Sequence, residues 1–378
     1  MANYDVIVLG LGGMGSSAVY HLAKKGFKVL GLEQFTEAHS LGSSHGKTRL
    51  IRKAYFEHSD YVPLLHQSYN LWRELERESG ETLLHLTGLT IFGPSNSQIL
   101  TGIRKSRDLF GLDVRDVSET ASQIWNPSFN VPIHFSGLEE PGAGFLEVER
   151  CVSAQLKVAR RLEAELRFEE PCLSWGANQD GIWVQTKKEK ISAERLVITA
   201  GPWTSQLLSA LNLKLQVHRV TQFWFKGKNS SILKKVNSCF AFDMPYGFIY
   251  GFPTFSNSKE LKVAIHKPGD KISDPSQVNR TLSERDHLEV SQFLREVMPE
   301  VEPTPVEGSV CLYTMTPDEH FVIDHHPSYE RVSLAAGFSG HGFKFASAVG
   351  KILSDLACNS KSLELKDFLR FRPVVVNP

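Results

Sequence analysis

The chain carries no surplus of charge: 42 Lys and Arg stand against 42 Asp and Glu, for a formal net charge of zero. That leaves no basic excess to draw a nucleic acid partner. No apolar run reaches the roughly 18 residues that a membrane span requires. The N-terminus passes almost at once into strand-like sequence, so no signal peptide is expected, and the final Val-Val-Asn-Pro is no peroxisomal address. Cysteine is scarce, with Cys151, Cys172, Cys239, Cys311 and Cys358 odd in number and scattered. A disulfide framework is therefore not expected, and a reducing cytoplasm is the default location. His320, Asp324, His325 and His326 cluster, but in no closed metal-ligand spacing, so no metal is expected. Internal repeats and low-complexity segments are also missing. What remains is an enzyme-like composition, 41% apolar with 28 Gly over 378 residues, long enough for two domains with their own cores.

The front of the chain is the most legible part. Tyr4 to Leu9 is a short, mostly apolar, β-branched run of the kind a buried parallel strand needs. It enters Gly10-Leu11-Gly12-Gly13-Met14-Gly15, and Met14 to Lys25 then reads as a helix, with Ala18, Val19, Leu22 and Ala23 on one stripe. Lys28 to Leu32 reads as a second strand ending at Glu33, 23 positions after Gly10. In such a βαβ unit Gly10 makes the tight turn, Gly12 lets the backbone approach a pyrophosphate, and Gly15 lets helix and strand pack closely. The helix N-terminus faces the phosphates. Glu33 is placed to accept from a ribose 2′-hydroxyl and to repel a 2′-phosphate, which favours FAD or NAD over NADP.

Downstream, Ala38 to Tyr55 is polar and Gly-rich, suited to wrapping a cofactor, with Arg49 and Arg52 as fixed positive charges; the plainer reading is a solvated loop. Helices are predicted over Tyr61 to Glu78, Gln98 to Phe110, Val148 to Leu162 and Phe345 to Leu356. Strands are predicted over Leu86 to Phe92, Ile182 to Thr186, Leu196 to Thr199 and Val332 to Ala336. From Leu215 to Tyr313 alternating β-type runs dominate, among them Val217 to Phe225, Phe248 to Phe252 and Lys262 to His266. The simplest organisation is a nucleotide-binding domain that is discontinuous in sequence, with a β-rich substrate domain inserted into it.

Three further motifs carry a family resemblance: Gly42-Ser-Ser-His-Gly-Lys-Thr-Arg-Leu-Ile-Arg52, Cys311-Leu-Tyr-Thr-Met-Thr-Pro-Asp-Glu319 and Gly337-Phe-Ser-Gly-His-Gly-Phe-Lys-Phe345. With them, in this order and over essentially its whole length, the chain resembles the monomeric sarcosine oxidase family of flavin amine oxidases, which includes N-methyltryptophan and pipecolate oxidases. The resemblance implies an α/β fold: a Rossmann-like FAD-binding domain over 1–83, 146–214 and 318–378, and an inserted β-rich α+β substrate domain over 84–145 and 215–317.

It also implies the cofactor and the roles at the site. FAD is held by the glycine turn, by Ser43, His45 and Thr48, and by Gly340 and Gly342. It is joined by a thioether to Cys311, a residue that would otherwise pass for a buried apolar one. Arg52 and Lys344 match carboxylate anchors, for which a guanidinium's two-pronged geometry is suited. Tyr250, His266 and Tyr313 match residues lining the substrate site, His266 being the one whose charge ordinarily changes near neutrality. Lys262, four before His266 and so on the same strand face, matches the cation that assists oxygen reduction. Arg49 and His45 match residues near the isoalloxazine. Phe240, Ala241 and Phe242 are expected near the pocket wall, with Ala241 admitting bulkier side chains.

The expected activity is oxidation of a small secondary amino acid, with dioxygen as acceptor and hydrogen peroxide as product, by a monomer without nucleic acid or membrane partners. Sarcosine, other N-methyl amino acids and L-pipecolate are all candidate substrates, and strings such as Arg52-Lys53-Ala54-Tyr55 lie closer to the pipecolate-oxidising branch. Two other readings stay open at this point, an FAD dehydrogenase that passes electrons to another carrier and a nicotinamide dehydrogenase sharing the nucleotide fold. Peroxide yield and protein colour separate them.

Overall fold

Tyr4–Leu9 is buried along nearly its whole length because it has neighbours on both edges. It pairs in parallel with Val29–Leu32 on one side and with Lys190–Ile198 on the other. The computed structural model describes residues 3–126, 128–178, 181–229, 231–255, 258–358, 365–372 and 375. The C-terminal ending considered above, apart from Val375, lies outside the described residues. Tyr329–Ala336 adds in parallel to Lys190–Ile198, and further strands complete an eight-stranded sheet among the described residues.

Helices Gly13–Lys24, Val148–Arg161 and Ala346–Ala357 cover one face of this sheet. Their apolar stripes join Val62–Ser79 in one large core that includes Val19, Leu22, Trp72, Leu156 and Leu353. The predicted front unit thus folds as a βαβ unit with boundaries within a residue of those expected.

A second sheet, nine-stranded among the described residues, draws its strands from 89–140 and 216–315. It is antiparallel except where Cys239–Met244 runs parallel to Leu89–Pro94. Alternation along these strands sends Phe223, Phe225, Phe240 and Phe242 into an aromatic core beneath helix Leu288–Val297. The opposite alternation turns Tyr250, His266 and Tyr313 towards the first sheet.

Between the two sheets lies a small one in which Thr48–Ile51 pairs with Gly144–Glu147. The polar segment 38–55 is therefore not all loop, because Thr-Arg-Leu-Ile finds a partner strand. The strand expected over Leu86 to Phe92 is broken: Gly88, at φ +77°, turns the chain between Leu84–His85 and Leu89–Pro94. The predicted helix over Phe345 to Leu356 starts one turn early as a 3₁₀ segment, Phe343–Phe345, which carries Lys344 into the interior.

Candidate active site

One cleft runs between the two sheets and encloses about 1940 Å³, its open mouth included. Its first half is built by the glycine turn. Thr199 ties the ends of two parallel strands together, its N–H donating to Leu9 O at 2.9 Å and its hydroxyl to Gly10 O at 2.8 Å. A Cβ on Gly10, which sits at φ +87°, would stand 2.7 Å from Thr199 O, and one on Gly15 only 1.7 Å from Gly10 O. At Gly12 it would meet only Ser44 Oγ at 3.6 Å, which leaves that backbone open to the cleft. The helix that follows has no cap from its own N-cap residue and no acidic residue in its first turn, only the neutral Ser44 Oγ accepting from Gly13 N at 3.1 Å, so its N-terminus favours an anion. Glu33 is buried in the wall and accepts from Leu11 N at 2.8 Å and Phe35 N at 3.1 Å.

The second half gathers the chemistry. Arg49 donates to Thr48 O, Ser43 O and Gln222 Oε1, and its Nη2 lies 3.4 Å from the Cys311 thiol. None of these partners is a carboxylate, so Arg49 is a cation held among neutral oxygens. Ser43 Oγ donates to Leu312 O at 2.6 Å and fastens the 42–46 loop to the Cys311 strand. Facing them, His266 Nδ1 is 3.1 Å from the Tyr313 hydroxyl, which is in turn hydrogen-bonded to Tyr250. Gly340, at φ +77°, lets its loop close over the Tyr313 ring, and Gly342 packs against Phe338.

At the far end of this half, Glu57 takes Arg52 Nη2 at 2.8 and 2.7 Å, while the guanidinium stacks over Tyr55 and Phe56. Lys344 donates to His341 O at 2.7 Å and lies over the Tyr55 ring. Burial, joined by the charge of Arg52 and only partly offset by Glu57, pushes the Lys344 ammonium down to about 7. Burial raises the Glu57 carboxyl, but Arg52, His341 and Lys344 outweigh it and hold it at about 2.

Several expectations need correction here. His266 does not titrate near neutrality: burial, with Lys344 and Arg52 working against Glu57, lowers it to about 4, so it is neutral at pH 7. Phe240, Ala241 and Phe242 are not in the cleft wall. The two phenylalanines belong to the aromatic core, and Ala241, though opposite Tyr250 in register, is sealed among Leu89, Ile91 and Phe252. Phe56 and Phe248 take the place in the wall expected of them. Cys311, His45, Thr48 and Lys262 stand one layer behind the wall, gathered around Arg49. Burial and the Arg49 charge lower the His45 ring to about 3. Lys262 instead lines a separate small cavity with Thr48, Trp224 and Phe252. Asp324 pairs with Arg370, and among the described residues no group of three His, Cys, Asp or Glu is placed to hold a metal ion.

A nucleotide-binding turn at one end and paired cations with a His-Tyr-Tyr chain at the other suit an enzyme that brings a small carboxylate against a bound dinucleotide. The sequence matches the family described as FAD dependent oxidoreductase over residues 5–356. The chain belongs to that family. It is 37% identical over 361 residues to monomeric sarcosine oxidase of Streptomyces avermitilis, across 94% of this chain and 93% of that protein. It is 33% identical over 368 residues to N-methyl-L-tryptophan oxidase of Salmonella typhimurium, across 97% and 98%. The structure of NikD, an unusual amino acid oxidase essential for nikkomycin biosynthesis, superposes with a TM-score of 0.86 at 24% identity over 98% of each chain, a likeness of fold. The kinship seen in the motifs therefore extends over nearly the whole chain.

The residues of this FAD dependent oxidoreductase fit the cofactor on their own evidence. The glycine turn leaves an open cradle at a helix N-terminus, and the Thr314 hydroxyl in the wall is buried without a partner. A buried donor left unpaired is costly, and a polar ring system in the cleft would relieve it. The motifs did not single out Glu57, Tyr55, His341 or Gln222. For Glu57 a signal was available: an acid five residues after Arg52, following Tyr55-Phe56 in a stretch otherwise polar.

Proposed function

We propose that this protein is an oxidase of small secondary amino acids, N-methylated or cyclic, that forms an imine from the substrate and hydrogen peroxide from dioxygen. When bound, FAD supplies the acceptor for the substrate hydride and returns the electrons to oxygen. The observation that carries the reading is the pair Arg52 and Lys344 lining the same cleft as the glycine turn, together with His266, Tyr313 and Tyr250. Two cations bind an amino acid carboxylate. A neutral His266 leaves the amine free of a repelling charge, and the Tyr313 and Tyr250 hydroxyls orient it. Phe56 and Phe248 exclude water from the reacting carbon.

Arg49 balances negative charge on the cofactor side and stands 3.4 Å from Cys311, the thiol that would carry a thioether to FAD. Lys262, whose ammonium burial and Arg49 hold well below the ordinary lysine range, provides positive charge where oxygen takes up electrons. Gly10, Gly12, Gly15, Glu33, Ser43, Thr48, Gly340 and Gly342 shape the cofactor's bed. The segments 1–83, 146–214 and 318–378 form the FAD-binding domain, and 84–145 and 215–317 the substrate domain. Five unpaired cysteines suit a cytoplasmic enzyme, and kinship with monomeric sarcosine oxidase suits a monomer.

A visible spectrum of the purified protein, taken before and after acid precipitation, tests the cofactor assignment. Anaerobic addition of sarcosine and then L-pipecolate tests the substrate class, and peroxide formed per substrate consumed tests the acceptor. Yellow colour that stays with the pellet and bleaches with one of the amines, with one peroxide per turnover, is the expected result. Colour released by acid removes the Cys311 linkage, and turnover without peroxide makes the protein a dehydrogenase.

A further inference from the structure

The turn that holds Lys262 is strained, and its strain has an identifiable support. Gly46 and Lys47 lie in succession at φ +93° and +69°, a conformation a lysine adopts only under constraint. A Cβ on Gly46 would stand 1.9 Å from Gln222 Nε2, so the turn cannot drift towards the second sheet. In this geometry the Gly46 and Lys47 amides converge on one carboxylate: Glu149 accepts from Gly46 N at 2.6 Å and from Lys47 N at 3.2 and 3.1 Å. The carbonyls on the other side of the turn grip the lysine. Lys262 Nζ donates to Gly46 O at 2.5 Å and to Thr48 O at 2.9 Å, which leaves its third N–H free of the turn. Glu149 is itself fixed in the first turn of helix Val148–Arg161, where an acid is favoured, and Val148 N closes the clamp on Lys47 O at 2.9 Å.

The charges around Lys262 are lopsided. Its side chain is 4% exposed. Burial, Arg49 and Lys47 all act against its ammonium, whereas Glu149 and the Cys311 thiol favour it; His45 stands close by, and Glu260 lines the same cavity. Glu149 is thus the carboxylate that both shapes the seat of Lys262 and opposes the repulsion from Arg49.

We propose that Glu149 is a positioning residue for oxygen reduction: through the Gly46–Thr48 turn it fixes the place and maintains the charge of the Lys262 ammonium. The inference rests on the reading of Lys262 given under the proposed function.

The test uses the holoenzyme with Glu149→Gln, which keeps the shape and one acceptor oxygen but removes the charge, and with Glu149→Asp, which keeps the charge. The visible spectrum of the bound oxidised flavin is followed against pH, and Lys262→Met identifies the inflection that belongs to the lysine. In Glu149→Gln that inflection moves to lower pH, and in Glu149→Asp it stays nearer the native position. In rapid mixing, reoxidation of the reduced Glu149→Gln enzyme by oxygen slows at least about tenfold more than its reduction by substrate does. Lys259→Met, an exposed charge near the same strand, serves as the control that changes neither.

An unshifted inflection with native reoxidation in Glu149→Gln overturns the proposal, and a lowered thermal midpoint alone would reduce Glu149 to a structural residue. If Lys262→Met itself reoxidises at the native rate, the oxygen role of Lys262 falls and this inference falls with it. If Lys262→Met is slow and Glu149→Gln is not, only the link to Glu149 is lost.

Discussion

Arg52 and Glu57 form a two-point ion pair inside the cleft, both Glu57 oxygens within 2.8 Å of one guanidinium nitrogen. The residue best suited to bind a substrate carboxylate is thus already bound to a carboxylate of its own chain. A substrate must displace Glu57 or share the guanidinium with it, and the internal pair works as a competitor. Glu57→Gln removes the competing charge and leaves the shape. Titration of the flavin spectrum with a non-reacting carboxylate such as acetate is expected to show binding about tenfold tighter, the equivalent of one lost charge-assisted contact. Weaker binding would instead make Glu57 part of the anchor.

The acidity of Lys344 sets the pH response. Its ammonium, at about 7 in the folded protein against an ordinary value of 10.5, is charged below that pH, where the proposed anchoring of the substrate carboxylate needs it, and loses its proton above it. The value of kcat/KM is expected to fall as pH rises through about 7, and Lys344→Met removes that limb. His266, neutral above about 4, contributes no limb near neutrality, so His266→Asn leaves it in place. Stability responds in the opposite sense. Between about 7 and 10.5 the unfolded chain binds the proton that the folded one has released, so the Lys344 contribution to stability rises with pH across that window. Urea midpoints of the native protein and Lys344→Met, compared across that range, would show the slope carried by this one residue.

The parts of this design that were legible in the sequence are those governed by local rules. The turn from Gly10 to Gly15 and the acid at Glu33 follow from the geometry of one βαβ unit, and period-two alternation places Lys262 and His266 on one strand face. What escaped depends on depth and on contacts between distant segments. Whether Lys262 lines the cleft or stands behind it turns on the Gly46–Thr48 turn, some 215 residues earlier in the chain, which grips it through backbone carbonyls. From the family resemblance Ala241 is expected at the pocket wall, yet it packs beside the Leu89–Pro94 strand. The acidity of His266 is likewise a property of its burial and of Lys344 and Arg52, which motif order does not encode.

Arg49 is the cation nearest the thiol of Cys311, at 3.4 Å. Replacing it with alanine removes the cation beside the thiol, so attachment of flavin should become slow and incomplete. The fraction of yellow colour that stays with acid-precipitated protein measures this directly. Arg49→Lys, which keeps the charge, should recover part of it, and equal attachment in Arg49→Ala and native protein would remove Arg49 from the step.

Lys344 is also held from below. The fully buried Trp72 donates its indole N–H to Lys344 O at 3.0 Å. Trp72→Phe keeps an aromatic ring but strands that carbonyl and leaves a gap, with an expected loss of about 1–3 kcal/mol from the unmade bond alone. A denaturant titration reads the loss. Carboxylate affinity, measured on the same variant, should weaken as the 3₁₀ segment that carries Lys344 loosens.

Gly340 makes the most exacting contact in the cleft. It sits at φ +77°, and a Cβ there would stand 2.3, 2.6 and 2.7 Å from atoms of the Tyr313 ring. The ring cannot move alone, because its hydroxyl is bonded to both His266 and Tyr250. Gly340→Ala therefore combines a backbone penalty of about 1–2 kcal/mol with a displaced tyrosine on the substrate side. A shift of about 1 Å in a substrate-orienting group can cost about a hundredfold in rate. The expected outcome is a large fall in the rate of anaerobic flavin reduction, measured per bound flavin. Gly342→Ala, at an ordinary φ of −81°, carries no left-handed penalty, and its new methyl, 2.5 Å from Phe338 Cβ, presses on Phe338 rather than on Tyr313, so it should disturb the substrate side less. If the two variants reduce flavin equally fast, Tyr313 is not the group through which this loop acts.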